Sequence, residues 1–196
     1  MNSREKILGA ISINKPSLIE LPVIDIKSTS SLSVDWVDEF IKTLESIGGK
    51  VVQLSSIDLI KLEIQQAKLR GEYIVNTLPV LGEVNNEINP TMEASLLESI
   101  DRAYIEGSIG VAENGSVWLY EHQIKNRLLP FICQHLVICL NINKIVPNMH
   151  EAYQQVDVAK EGYGVFLAGP SKTADIEQSL VIGAHGARSL LVYLIS

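Results

Sequence analysis

Lys50–Asn76, KVVQLSSIDLIKLEIQQAKLRGEYIVN, decides the fold. KVVQL is an apolar run of strand length. Between Ser56 and Arg70, Ile57, Ile60, Ile64 and Ala67 recur every three or four residues, the spacing of one side of a helix. YIVN at 73–76 is a second strand candidate. A strand, an amphipathic helix and a strand in succession predict a parallel sheet with helices packed on its faces.

The flanks extend this pattern. Upstream, Ser33 or Asp35 can cap a helix whose apolar positions are Trp36, Val37, Phe40, Ile41, Leu44 and Ile47, and Gly48-Gly49 stops it. Further upstream, residues 3–13 predict a short amphipathic helix capped by Ser3, with Ile7, Leu8 and Ile11 on one face. A Ser-rich connector from Pro16 to Ser33 follows it, so residues 1–32 read as an N-terminal helix and arm, and 33–196 as the main α/β domain.

Downstream, LPVLGEVNNEINPTMEAS is rich in proline and asparagine and reads largely as loop. DRAYIEG, SIGVA and SVWLY are short strand candidates, and Asn114-Gly115 between the last two predicts a hairpin with a two-residue turn. Asn126–Ile132 reads as a short helix, HLVICLN as a buried strand, and MHEAYQQV after Pro147 as a helix. GYGVFLAG and SLLVYLI then complete the sheet. The expectation is six or seven strands and about five helices in one α/β domain.

The candidate site lies between those last two strands, in AGPSKTADIEQSLVIGAHGAR at 168–188. Gly169 and Pro170 follow a strand, at the carboxyl edge where open α/β sheets bind ligands. Ser171 and Thr173 offer hydroxyls. Backbone N–H groups ahead of Asp175 can meet an anion at a helix start, although Ser171, Thr173, Asp175 and Glu177 are also the residue types that cap a short helix. His185 stands between small residues, beside Gly186. It can serve as an acid–base group. Arg188 can clamp a carboxylate or phosphate. Glu113, on the turn Ala112-Glu113-Asn114-Gly115-Ser116, can act as nucleophile or general base if it shares a cleft with that segment, with Asn114 and Ser116 beside it.

Composition excludes some classes. The net charge of -7 and the lack of a Lys/Arg run argue against a nucleic-acid partner. No apolar stretch is long enough for a membrane span, and no signal-peptide core is visible. Cys133 and Cys139 are the only cysteines and read as small buried hydrophobes in a cytoplasmic protein. Two thiols cannot supply an iron–sulfur cluster or a zinc site, and no histidine has metal-ligand spacing.

The chain resembles LUD-domain proteins of the LutC type, the lactate utilization protein C family. The resemblance rests on GVAENGSV at 110–117, RLLPFI at 127–132, KIVP at 144–147, and above all on 168–188. The family pattern usually has Thr where Asn114 stands, Arg at Lys172 and Pro at Ala187. The resemblance implies a three-layer sandwich with a mostly parallel sheet, similar to the NagB/RpiA/CoA-transferase-like fold. It also implies an auxiliary subunit of an L-lactate dehydrogenase complex that yields pyruvate. The iron–sulfur clusters would sit on partner subunits, with no cofactor on this chain and a pocket for a small organic acid or phosphate-like anion. AENG at 112–115 also resembles the sequence around the catalytic glutamate of class I CoA-transferases. That implies an alternative, a stand-alone enzyme acting on a CoA ester or phosphorylated small molecule through Glu113.

Overall fold

The computed structural model describes residues 2–20, 22, 35–82, 88–157, 159, 162–176, 179–183 and 185–196, without the side chains of 173–182. Ser33, most of the Pro16–Ser33 connector, Glu177 and the side chains of Thr173 and Asp175 therefore lie outside the description. The chain divides into two compact units, Met1–Ser33 and Val34–Ser196.

In the first unit, α1 spans Ser3–Ile13. Its cap is Asn2 rather than Ser3. The Asn2 side chain accepts from the Glu5 N–H, and the Glu5 carboxylate accepts from the Asn2 N–H. Ser3 already has helical geometry, so the extended residue before it takes the capping position.

In the second unit, Asp35 caps α2 (Trp36–Ser46) by accepting from the Val37 and Asp38 N–H groups. Gly48 ends the helix with φ +91°, a conformation that glycine adopts without a Cβ penalty. There follow β1 (Lys50–Leu54), α3 (Asp58–Leu69), β2 (Ile74–Asn76), α4 (Ala94–Leu97), β3 (Arg102–Gly107), β4 (Ile109–Val111), β5 (Ser116–Tyr120), α5 (Glu121–Ile124) and α6 (Leu129–Ile132). Then come β6 (His135–Asn141), a 3₁₀ turn Ile142–Lys144, β7 (Ile145–Val146), α7 (Met149–Gln155), β8 (Gly164–Leu167), β9 (Lys172–Ile176), β10 (Ser179–Ile182) and β11 (Ser189–Ile195).

The central sheet has five parallel strands in the order β1-β11-β6-β3-β2. Its strands are apolar on both faces. Ile105, Leu136, Ile138, Leu140, Val192 and Leu194 pack with Phe40 and Leu44 of α2, Leu97 of α4 and Leu129 of α6. The intervening Tyr104, Val137, Cys139 and Tyr193 pack with Ile60, Ile64 and Ala67 of α3. Period-2 alternation thus feeds two cores, so HLVICLN reads as continuously hydrophobic.

GYGVFLAG does not complete this sheet. β8 pairs antiparallel with β5 in a second, four-stranded sheet ordered β7-β4-β5-β8. Trp118 explains the choice, because its indole lies between Phe166 and the backbone of Gly164. A Cβ added at Gly164 would fall 2.1 Å from the ring, so only glycine lets the strands meet there. The ENG turn also differs from expectation. Val111 pairs with Ser116, leaving the four-residue loop 112–115, in which only Gly115 has positive φ. Both primed two-residue turns need positive φ at the first central residue, and Asn114 does not supply it.

One polar network lies under α3. Glu63 accepts from Arg102 Nη1 at 3.2 Å, from the Tyr104 hydroxyl at 3.2 Å and from the Tyr193 hydroxyl. Arg102 Nε donates to Glu72 at 3.1 Å, and Arg70 Nη2 reaches the other Glu72 oxygen at 2.7 Å. Burial pushes both tyrosine hydroxyls up, so they remain donors. Burial also opposes charge on Glu72, but the hydrogen bonds from Arg70 and Arg102 outweigh it and hold its carboxyl below the ordinary value. A depressed folded-state pKa stabilises above the unfolded value of about 4.3, and that stabilisation is lost as pH falls through the folded value. Glu72→Gln is therefore expected to lower stability at pH 7 and to flatten the acid-side decline between about pH 5 and 3. Urea midpoints across that range check it.

Candidate functional site

The 168–188 segment folds as a hairpin on a pinned base. Ser171 N–H donates to the Ala187 carbonyl at 2.9 Å, and the Gly183 N–H donates to the Ser171 carbonyl at 3.0 Å. β9 and β10 run out antiparallel from that base and return to β11. The helix start expected near Asp175 is replaced by strand β9, which carries Thr173 and Asp175. With Ser171 held at both its N–H and its C=O, the chain is already extended where a helix would begin.

The base of the hairpin walls a cavity of about 290 Å³. Gly169, Ser171, Lys172, His185 and Gly186 line it, with Phe131, Leu136, Phe166 and Leu190 as its apolar side. Leu136 and Leu190 are the second residues of β6 and β11, so the cavity adjoins the amino ends of the parallel strands. Sequence alone places this segment at the carboxyl edge. The difference arises because the strand before Gly169 belongs to the second sheet.

Two glycines set the shape. Gly169 has φ +72°, and a Cβ there would lie 3.0 Å from the Ile47 carbonyl at the end of α2. Gly186 presses on Ser171, where a Cβ would come within 2.9 Å of the Ser171 Cβ. Lys172 reaches back over Gly48, its Cε 3.5 Å from where a Cβ of Gly48 would stand. No carboxylate is among the described lining residues, and Lys172 forms no ion pair among them. An ammonium, an imidazole and a hydroxyl beside an apolar wall, with no acid in the described lining, favour a small anion.

Arg188 does not join this group. Its Cγ packs at Gly183, where a Cβ would be only 2.5 Å away, and its N–H donates to the Gln134 carbonyl at 2.8 Å. Glu113, Asn114 and Ser116 do not line the cavity either. Gly115 of that loop sits on Leu44 of α2, and Gly169 sits on Ile47, so the two loops share a helix but not the cavity. Glu113 Oε1 accepts from the Met149 N–H at 3.2 Å, while Asn148 caps the same helix through the Glu151 N–H. Asn114 Oδ1 accepts from the N–H and hydroxyl of Ser116, closing the loop on itself. Glu113 thus acts as a second acceptor at the start of α7. Glu113→Gln, which keeps an acceptor, is expected to cost about 1 kcal/mol or less. Mass spectrometry after incubation with acyl-CoAs is expected to show no adduct on Glu113.

One polar pair went unrecognised in the sequence. His135 Nδ1 lies 2.8 Å from Ser189 Oγ, across the first residues of neighbouring strands β6 and β11. Only the register of the two strands reveals it.

Residues 34–195 match the LUD domain. The chain belongs to the LUD domain family. Lactate utilization protein C of Bacillus pumilus is 31% identical over 108 residues, covering 52% of this chain and 45% of that protein. Lactate utilization protein C of Geobacillus kaustophilus is 28% identical over 107 residues, covering 50% and 45%. This LUD chain thus spans about half the length of the curated relatives it matches. A solved DUF162 family protein from Deinococcus radiodurans shares its fold, with a TM-score of 0.63 at 16% identity, over 82% of this chain and 96% of the other. The shared fold agrees with the α/β architecture and the parallel central sheet. Among the described residues of the LUD chain, no helix is long and apolar enough to cross a membrane.

Proposed function

We propose that this LUD chain is an auxiliary subunit of a cytoplasmic lactate-utilisation system that oxidises L-lactate to pyruvate. The cavity at Ser171, Lys172 and His185 would hold a small organic acid or phosphate-like anion. The observation that carries the reading is a cavity lined by Ser171, Lys172 and His185 in a chain 31% identical over 108 residues to a lactate utilization protein C. Lys172 and the His185 ring would meet the anion's oxygens, the Ser171 hydroxyl would donate a third hydrogen bond, and Phe131 and Phe166 would exclude water from its apolar part.

Lactate oxidation releases two electrons and two protons, and the electrons need an acceptor. The two cysteines do not fit a cluster on this chain. Cys133 is buried in one core and Cys139 in the other, on opposite faces of the sheet. Burial pushes both thiols up to about 12, away from the thiolate a metal needs. Iron–sulfur clusters on partner subunits would supply the electron acceptor. Affinity purification of the tagged full chain from lactate-grown cells tests this. The proposal expects a co-purifying protein with visible iron–sulfur absorbance and stoichiometric iron. Purification of the chain without any iron-containing partner would contradict it.

A further inference from the structure

A second cleft, of about 510 Å³, opens at the opposite end of the central sheet. Glu106 near the end of β3, Asn141 at the end of β6 and Ile195 at the end of β11 contribute to it. Asn141 and Ile195 are register partners, and Glu106 pairs with Cys139 one turn of the pleat earlier. β1 departs into α3 on one face, while β3 and β6 depart into the second sheet on the other side. Connections that part in this way leave a crevice beyond the carboxyl ends of the strands, the general ligand position of open α/β sheets. The volume lies within the range of small-molecule sites.

Of the polar groups lining this crevice, the Ser108 hydroxyl donates to Gln123 at 2.8 Å and the Tyr120 hydroxyl to the Gln155 carbonyl at 3.4 Å. Among the described residues, the side chains of Lys144 and Glu106 form no hydrogen bond or ion pair, though both line it. Asn141 spends its Oδ1 on the Asn143 N–H at 2.8 Å, and its amide donors meet no acceptor among the described residues. Ile57 at the start of α3, Val80 and Ile195 supply aliphatic surface nearby. Lys144 and Asn141 suit a carboxylate. Glu106 would repel that carboxylate unless the ligand also brings a donor to it. Hence the ligand carries an acid group with a hydroxyl or ammonium beside it, and a hydrocarbon part for the aliphatic wall.

We propose that this cleft binds a medium-chain 2-hydroxy or 2-amino acid. Its carboxylate rests on Lys144 and Asn141, its 2-substituent donates to Glu106, and its chain lies against Ile57, Val80 and Ile195. A three-carbon acid leaves most of the cleft to water, whereas each further buried methylene strengthens binding by roughly fourfold. The site is separate from the Ser171–His185 cavity and does not depend on the lactate assignment.

Isothermal titration of the full chain with 2-hydroxyoctanoate, 2-aminooctanoate, octanoate and L-lactate tests it. The expected result is at least tenfold tighter binding of one of the two substituted eight-carbon acids than of octanoate or lactate. Lys144→Ala and Val80→Glu, both at exposed positions, each weaken that binding at least tenfold. Equal affinity for lactate and the eight-carbon acids would overturn the proposal. So would binding that survives both Lys144→Ala and Val80→Glu. Far-UV circular dichroism of each variant separates loss of binding from loss of fold, and the tighter of the hydroxy and amino acids identifies the donor that meets Glu106.

Discussion

Phe40→Ala is expected to lower the unfolding free energy by about 3–5 kcal/mol. Phe40 is fully buried on the α2 side of the central sheet. Its ring lies against Gly110 of β4, where an added Cβ would stand 3.3 Å from Phe40 Cε2. Strands fix the surroundings, since β4 is hydrogen-bonded to both β5 and β7. The void therefore cannot collapse, and the full cavity term is added to the lost transfer free energy. The consequence reaches the candidate site. α2 carries Ile47 beneath Gly169 and Leu44 beneath Gly115, so a loosened α2 unseats both loops. Urea denaturation checks this. A loss of less than about 1 kcal/mol would show that α2 does not anchor the core.

Lys172→Ala combined with His185→Ala is expected to weaken binding of phosphate or pyruvate about 100-fold. Charge-assisted hydrogen bonds contribute about 1.5–3 kcal/mol each, and solvent at the cavity rim keeps both at the low end, near tenfold apiece. Neither side chain supports the core, since both are exposed. The double variant should therefore keep the unfolding midpoint of the parent. Affinity should also fall as ionic strength rises, because the Lys172 ammonium attracts the anion at a solvent-exposed rim. Isothermal titration at two salt concentrations measures both effects. Unchanged affinity in the double variant would remove the anion cavity from the account.

The sequence made the parallel core legible because its signals are local. In Lys50–Asn76 the period switches from strand to helix and back within one segment, and the buried Ile60, Ile64 and Ala67 of α3 follow the spacing that predicts them. The 168–188 hairpin was not legible for an equally local reason. Ser171, Thr173, Asp175 and Glu177 have the composition of a helix start, and the contacts that make the segment extended are backbone bonds from Ser171 to Gly183 and Ala187. Sheet membership of β8 was hidden because it depends on Trp118 meeting Gly164, residues 46 apart in the chain. That single assignment moved the cavity from the expected carboxyl edge to the amino ends of β6 and β11. The sequence placed Gly169, Ser171, His185 and Gly186 in one segment, and the base of the hairpin brings them to one cavity. It could not exclude Glu113, whose carboxylate is drawn away by Met149 of α7.

The most direct test of the lactate assignment is growth on L-lactate as sole carbon source after deletion of the gene for this chain. The account predicts that growth fails, that the wild-type chain restores it, and that the Lys172→Ala, His185→Ala chain does not. A deletion strain that grows on L-lactate at the parental rate would contradict it.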